Sequence, residues 1–123
     1  MIPPRRILVI EDDPDVRSAL ADALSAAGAE VVVASDGQDG LDRVRAGCRP
    51  SVILLDLRMP RLDGDAFLRE MRSDPSLEHV PVITMTAGLD TPQERDVVAH
   101  LRKPFDLDDL LGIVLSLCDA QHV

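Results

Sequence analysis

Ser51-Val52-Ile53-Leu54-Leu55-Asp56-Leu57-Arg58-Met59-Pro60 is the stretch on which the fold turns. Its first five residues are the most strand-like in the chain: short, apolar and rich in branched side chains. A strand there delivers Asp56 at its C-terminal end, and Leu57 to Pro60 form the loop beyond it. Upstream, Ile7-Leu8-Val9-Ile10 reads as a strand buried on both faces, and it too ends on acids, Glu11-Asp12-Asp13. Asp13-Pro14 is a good N-cap and first helical residue. Val16, Ala19, Leu20, Ala23, Leu24 and Ala27 then recur at helical spacing up to Gly28. Glu30 to Ala34 predicts a second strand, and Asp36-Gly37 opens a short helix through Leu41 and Val44 that stops at Gly47.

Downstream of Pro60, Asp63-Gly64 opens a helix carrying Ala66, Phe67 and Met71. Val80 to Met85 predicts a fourth strand ending at Thr86, with Pro81 tolerable near its start. Leu101 lies in a short fifth strand before Lys103-Pro104, and Asp106 caps a last helix with Leu107, Leu110, Leu111, Val114, Leu115 and Cys118 on its apolar face. Five strands alternating with helices imply right-handed crossovers, a parallel sheet and helices on both of its faces. Ligands of such α/β sheets bind outside the carboxyl ends of the strands. The polar residues Glu11, Asp12, Asp56, Thr86 and Lys103 all fall at such ends.

Composition narrows the function. The 123 residues fit one domain spanning 1–123, long enough to bury a core. A net charge of −9 opposes the phosphate backbone of nucleic acids, and 2% aromatic content leaves no stacking platform for bases. Apolar runs are too short to span a bilayer, and Glu11 interrupts the run behind the N-terminus, so a cytoplasmic location without a signal peptide is expected. Cys48 and Cys118 stand far apart without metal-ligand spacing and read as small apolar side chains.

Glu11, Asp12 and Asp56 converge on one rim of this sheet. Three carboxylates that close repel one another unless a hard cation serves as counter-ion. Mg²⁺ suits them, because it takes one or two carboxylates and completes its shell with water or phosphate oxygens. Lys103 supplies a point positive charge for a phosphoryl oxygen, and Thr86 a hydroxyl. Phosphoryl transfer asks for in-line positioning and charge neutralisation, with Asp56 as the nucleophile.

Taken in order, Ile7 to Asp13, Leu54 to Pro60, Asp63-Gly64, Thr86-Ala87 and Lys103-Pro104-Phe105 resemble the receiver domain of bacterial response regulators over essentially the whole chain. The resemblance implies a flavodoxin-like, doubly wound α/β fold with a five-stranded parallel sheet ordered 2-1-3-4-5. It implies that Asp56 is the phosphoacceptor and that Asp12, Asp56 and the backbone carbonyl of Arg58 bind Mg²⁺, with Glu11 acting through water. Thr86, the Ala87 amide and Lys103 would hold the phosphoryl group. The donor would be a histidine kinase or a histidine phosphotransfer protein, and the domain would promote its own phosphorylation and dephosphorylation rather than act as an enzyme on other substrates. Thr86 and the residue three before the lysine, here His100 in place of an aromatic residue, would be the switch pair. Arg58 and Gly88 would occupy the two positions that tune dephosphorylation, with Arg58 dominant.

The fourth-helix region departs from that family. The interval from Thr86 to Lys103 is short for a loop, a full helix and a strand, so the fourth helix is expected to be short or missing, and Gln93-Glu94-Arg95-Asp96 offers it no apolar face. The chain also ends at Val123 with no effector segment in view, which predicts either a stand-alone receiver or one cut from a longer protein. Two other functions compete. A phosphate-independent interaction module could share the fold, although the intact set of acids, Thr86 and Lys103 argues against it. A haloacid-dehalogenase-like hydrolase would want a second acid two residues after Asp56, where Arg58 stands.

Overall fold

The computed structural model describes residues 5–59, 62–87 and 97–120. Within them the chain runs β1 (Arg6–Ile10), α1 (Pro14–Ala26), β2 (Glu30–Ala34), α2 (Gly37–Arg45), β3 (Val52–Asp56), α3 (Gly64–Arg72), β4 (Val82–Thr86), β5 (Ala99–Arg102) and α4 (Leu107–Ala120). All neighbouring strands pair in parallel, in the order β2-β1-β3-β4-β5. This is the expected flavodoxin-like sheet.

Two-residue alternation sorts the strands between two cores. Leu8, Ile10, Ile53, Leu55 and Val82 meet Leu41 and Val44 of α2 and Phe67, Leu68 and Met71 of α3. Ile7, Val9, Val52, Leu54, Ile83 and Met85 meet Leu20 and Leu24 of α1 and Leu110 and Val114 of α4. Because both faces are covered, the central strands carry unbroken apolar runs instead of alternating with polar residues.

Aspartates start every helix among the described residues. Asp13 accepts from the Asp15 amide at 2.9 Å, Asp36 from Asp39 at 2.8 Å, Asp63 from Ala66 at 2.9 Å and Asp106 from Asp108 at 2.8 Å. Each satisfies an amide that the first helical turn leaves unpaired, worth about 1 kcal/mol apiece. These caps follow the carboxyl ends of the strands, so part of the chain's acidity at that rim is structural. At the other pole, α1 and α2 end near Gly28 (φ 95°) and Gly47 (φ 105°).

One boundary and one buried position differ from the sequence reading. β4 begins at Val82, not Val80, because the Val80 amide turns back to the Leu77 carbonyl at 3.1 Å. The Arg72 guanidinium fastens that turn by donating to the carbonyls of Leu77, Glu78 and Val80. On α4, Leu107 is 39% exposed instead of buried, whereas Ile113 and Leu117 pack against the core. The short or missing fourth helix was expected within residues 88–96, which lie outside the described residues, as do Gly88 and the side chain of Cys118. Cys48 is half-buried and free, and its burial pushes the thiol pKa up, in keeping with an inert packing role.

Candidate functional site

The parallel register brings the ends of β1, β3, β4 and β5 to one rim. The Leu57 amide donates to the Met85 carbonyl at 3.0 Å, which sets the end of β3 against β4. The Lys103 amide donates to the Thr86 carbonyl at 2.7 Å, so these two residues are held side by side at the end of β4 and β5. Glu11 follows β1, and its amide donates to the Ala34 carbonyl at 3.1 Å.

Glu11, Asp12 and Asp56 each place a carboxylate oxygen within 4.8 Å of the other two. Glu11 is 1% and Asp56 4% exposed, while Asp12 faces solvent. Lys103 Nζ reaches Glu11 Oε2 at 2.7 Å and Asp56 Oδ2 at 3.6 Å. The Arg58 amide donates to Asp56 Oδ1 at 3.2 Å. Thr86 is fully buried at the end of β4, and Ala87 is exposed just beyond it. The sequence-derived set Glu11, Asp12, Asp56, Arg58, Thr86, Ala87 and Lys103 thus occupies one end of the sheet.

Electrostatics make the cluster cation-hungry. Burial, then the neighbouring Glu11 carboxylate, pushes the Asp56 pKa up to about 7, against the opposing pull of Lys103 and the Arg58 amide. Burial alone would lower Lys103, but its hydrogen bond to Glu11 and the charges of Glu11, Asp56 and Asp12 outweigh it and hold the ammonium above its ordinary pKa. One lysine therefore faces three carboxylates. The donor set is all oxygen, and a hard divalent cation fits it better than a soft metal.

His100 lies apart from this cluster. It is half-buried on β5, and its Nδ1 and the Thr84 Oγ1 share a hydrogen bond at 2.7 Å; the donor depends on the imidazole tautomer. Its Nε2 is buried and finds no hydrogen-bond partner among the described residues. Thr84 and Thr86 alternate onto the same face of β4, so His100 and Thr86 stand on one side of the sheet.

One supporting residue escaped the sequence reading. Arg17, one turn into α1, donates from Nη1 to the Glu11 carbonyl at 2.9 Å and so steadies the acidic loop from behind. Its position six residues after Glu11, within a helix starting at the same loop, was the available signal. Lys103 was expected to serve an incoming phosphoryl group, yet its shortest contact is the ion pair with Glu11. That preference depends on the depth of Glu11, which no local pattern reveals.

The comparisons agree with this geometry. The family described as "Response regulator receiver domain" matches residues 7–115. Response regulator MprA of Mycolicibacterium vanbaalenii is 41% identical over 120 residues, covering 93% of this chain and 50% of the relative. Hybrid signal transduction histidine kinase D of Dictyostelium discoideum is 33% identical over 116 residues, 90% of this chain and 7% of that protein. The chain thus spans about half the length of the response regulators it matches. The structure of response regulator protein TrrA from Thermotoga maritima, in complex with Mg²⁺–BeF, superposes with a TM-score of 0.81 at 27% identity, covering 92% of this chain and 98% of that one. Sheet order, rim chemistry and relatives lead to one conclusion: the chain belongs to the response regulator receiver domain family of two-component signalling.

Proposed function

We propose that the chain is a phosphorylation-dependent switch in which Asp56 accepts a phosphoryl group from a phosphohistidine of a histidine kinase or histidine phosphotransfer protein. The observation that carries this reading is the clustering of the buried Asp56 carboxylate with the acids Glu11 and Asp12, with the Lys103 ammonium 2.7 Å from Glu11 and 3.6 Å from Asp56. An Asp56 oxygen attacks phosphorus; the bond from phosphorus to the donor nitrogen breaks, and its electron pair leaves with the imidazole. Lys103, the Thr86 hydroxyl and the Ala87 amide serve the three phosphoryl oxygens as charge accumulates on them. Asp12, Asp56 and the Arg58 carbonyl would hold Mg²⁺, with Glu11 acting through water. When bound, the ion would supply neutralising positive charge for the transfer. Thr86 and His100 form the switch pair, and Arg58 tunes the lifetime of the phosphorylated state. The reading includes a cytoplasmic location, in keeping with the free thiol of Cys48.

Intact mass after incubation with acetyl phosphate tests the reading. The wild type should gain one phosphoryl group in Mg²⁺ and none when the ion is chelated. Absence of any added mass in Mg²⁺ would leave the phosphate-independent interaction module as the better account.

The donor's landing surface also has a candidate. A largely apolar groove of about 630 Å³, lined by Val16, Ala19, Leu20, Phe105 and Leu107, opens beside Ala87 and Lys103. Asp15 lines the groove, and Asp106 and Asp108 lie exposed at the start of α4, a charge pattern suited to a helix with an apolar face and basic flanks. Ala19 is exposed, so Ala19→Glu should fold normally. Transfer from acetyl phosphate should stay within about twofold of wild type. Transfer from a phosphorylated histidine phosphotransfer domain that labels the wild type should fall by about tenfold or more, the effect of one buried interface position. Equal rates for both donors would remove the groove from the docking surface.

A further inference from the structure

We infer that Gly37, the first residue of α2, is a positioning residue for the loop between β3 and α3, which carries Arg58; the inference rests on the function proposed above. The Gly37 amide donates to the Leu62 carbonyl at 3.1 Å, tying the start of α2 to the far side of that loop. A Cβ on Gly37 would overlap the Leu62 carbonyl oxygen and lie 3.0 Å from its carbon and 3.1 Å from Leu62 Cβ. Most of what it would strike is backbone, which cannot rotate out of the way as a side-chain end can. Closeness of approach, not a positive φ, is what demands glycine at this position.

The near side of the loop is fixed in a matching way. The Gly64 amide donates to the Leu57 carbonyl at 3.1 Å, and a Cβ on Gly64 would lie 2.8 Å from Leu57 Cα and 2.9 Å from the Asp56 carbonyl oxygen. Gly64 thus closes the base of the loop against the phosphoacceptor, while Gly37 holds its far side from a different helix. Between these anchors the Arg58 amide is bonded to Asp56 Oδ1. Leu62 and Arg58 belong to the same connection between β3 and α3, so a shift at Leu62 is expected to displace the Arg58 carbonyl that the proposed metal set includes. Outer groups that orient metal ligands commonly change metal affinity roughly tenfold to a hundredfold when altered.

Gly40 supplies the control, because it lies one turn along the same helix and a Cβ there would meet Ile10 Cδ1, Ile10 Cγ1 and Phe67 Cε2, all core side-chain atoms. Gly40→Ala disturbs packing without touching the loop. Mg²⁺ titration calorimetry on the full chain, with thermal unfolding alongside, should show Gly37→Ala binding Mg²⁺ roughly tenfold to a hundredfold more weakly, while Gly40→Ala binds like wild type even if both melt earlier. A second measurement needs no variant: in amide ¹H–¹⁵N spectra of the wild type, the Gly37 resonance should shift on addition of Mg²⁺ while that of Gly112, on the exposed face of α4, stays in place. If Gly37→Ala folds and binds Mg²⁺ as tightly as wild type, the inference is wrong. Should that variant not fold, an unmoved Gly37 resonance overturns it and a shifted one supports it. A wild type that binds no Mg²⁺ would overturn the proposed function as well, so the two failures are distinguishable.

Discussion

Asp56→Asn will take up no phosphoryl group from acetyl phosphate and, in the absence of Mg²⁺, will melt at a higher temperature than the wild type at pH 8. The first half follows from chemistry, since a neutral amide is no nucleophile for phosphorus at this site. The second follows from the cost of keeping a carboxylate in the cluster. Asp56 is pushed up to about 7, first by burial and then by Glu11, whereas in the unfolded chain it titrates near ~4. Between those values the folded state holds a proton that the unfolded state has released. Stability therefore falls as pH rises from about 4 to about 7, and the whole penalty is present above 7. Asparagine is neutral throughout and escapes it. Allowing for the coupling to Glu11 and the compensation by Lys103, a gain of about 2 kcal/mol at pH 8 is expected, or roughly 5–10 °C in Tm for a chain of this size. The gain should vanish near pH 4. Thermal melts of both proteins from pH 4 to 8 in chelator check this, and an advantage independent of pH would refute the electrostatic explanation. Saturating Mg²⁺ should erase most of the difference, because the ion stabilises only the protein that binds it well.

Strand cores such as Val52–Leu55 and caps such as Asp13, Asp63 and Asp106 are local features, set by a few neighbouring residues, and they stand where the sequence puts them. Asp56, Thr86 and Lys103 were legible because a strand end in a parallel sheet is a location in space as well as in sequence. Contacts between distant segments were not. Asp36-Gly37 reads as an ordinary helix start, and nothing in it announces Leu62 as the partner of its amide. Glu11 and Asp12 are neighbours of the same type, yet one is buried and the other exposed, because the chain turns from β1 into α1 between them. Leu107 sits at a good helical spacing for the core but lies on the last helix's first turn, where it is exposed and lines the groove instead.

Lys103→Met is the sharpest probe of the opposite charge. The substitution keeps the aliphatic stem but leaves Glu11, 1% exposed, without the partner that sits 2.7 Å away, and it leaves Asp56 without a cation at 3.6 Å. Removing one member of a buried pair is costly chiefly because the survivor stays buried and unpaired. Lys103 is 20% exposed, so the loss belongs at the lower end of the usual range, about 3 kcal/mol at pH 8 in chelator. Acid should reduce the loss, since protonated carboxyls no longer need the ammonium. The lysine also competes with any cation for the same two carboxylates. The variant should therefore bind Mg²⁺ more tightly than wild type, and Mg²⁺ should raise its Tm by more. Phosphorylation should move in the other direction. With no ammonium beside the acids, transfer from acetyl phosphate should slow by about a hundredfold at saturating Mg²⁺, the usual cost of losing one preorganised group that meets developing charge. Lys103→Arg separates the two roles: it restores charge near Glu11 and much of the stability, but a planar guanidinium cannot occupy the place of a point charge, so the rate should stay low. Melting curves and mass-resolved phosphorylation rates on the three proteins decide the matter. A Lys103→Met protein as stable as wild type in chelator at pH 8 would mean that Glu11 is not held by this pair.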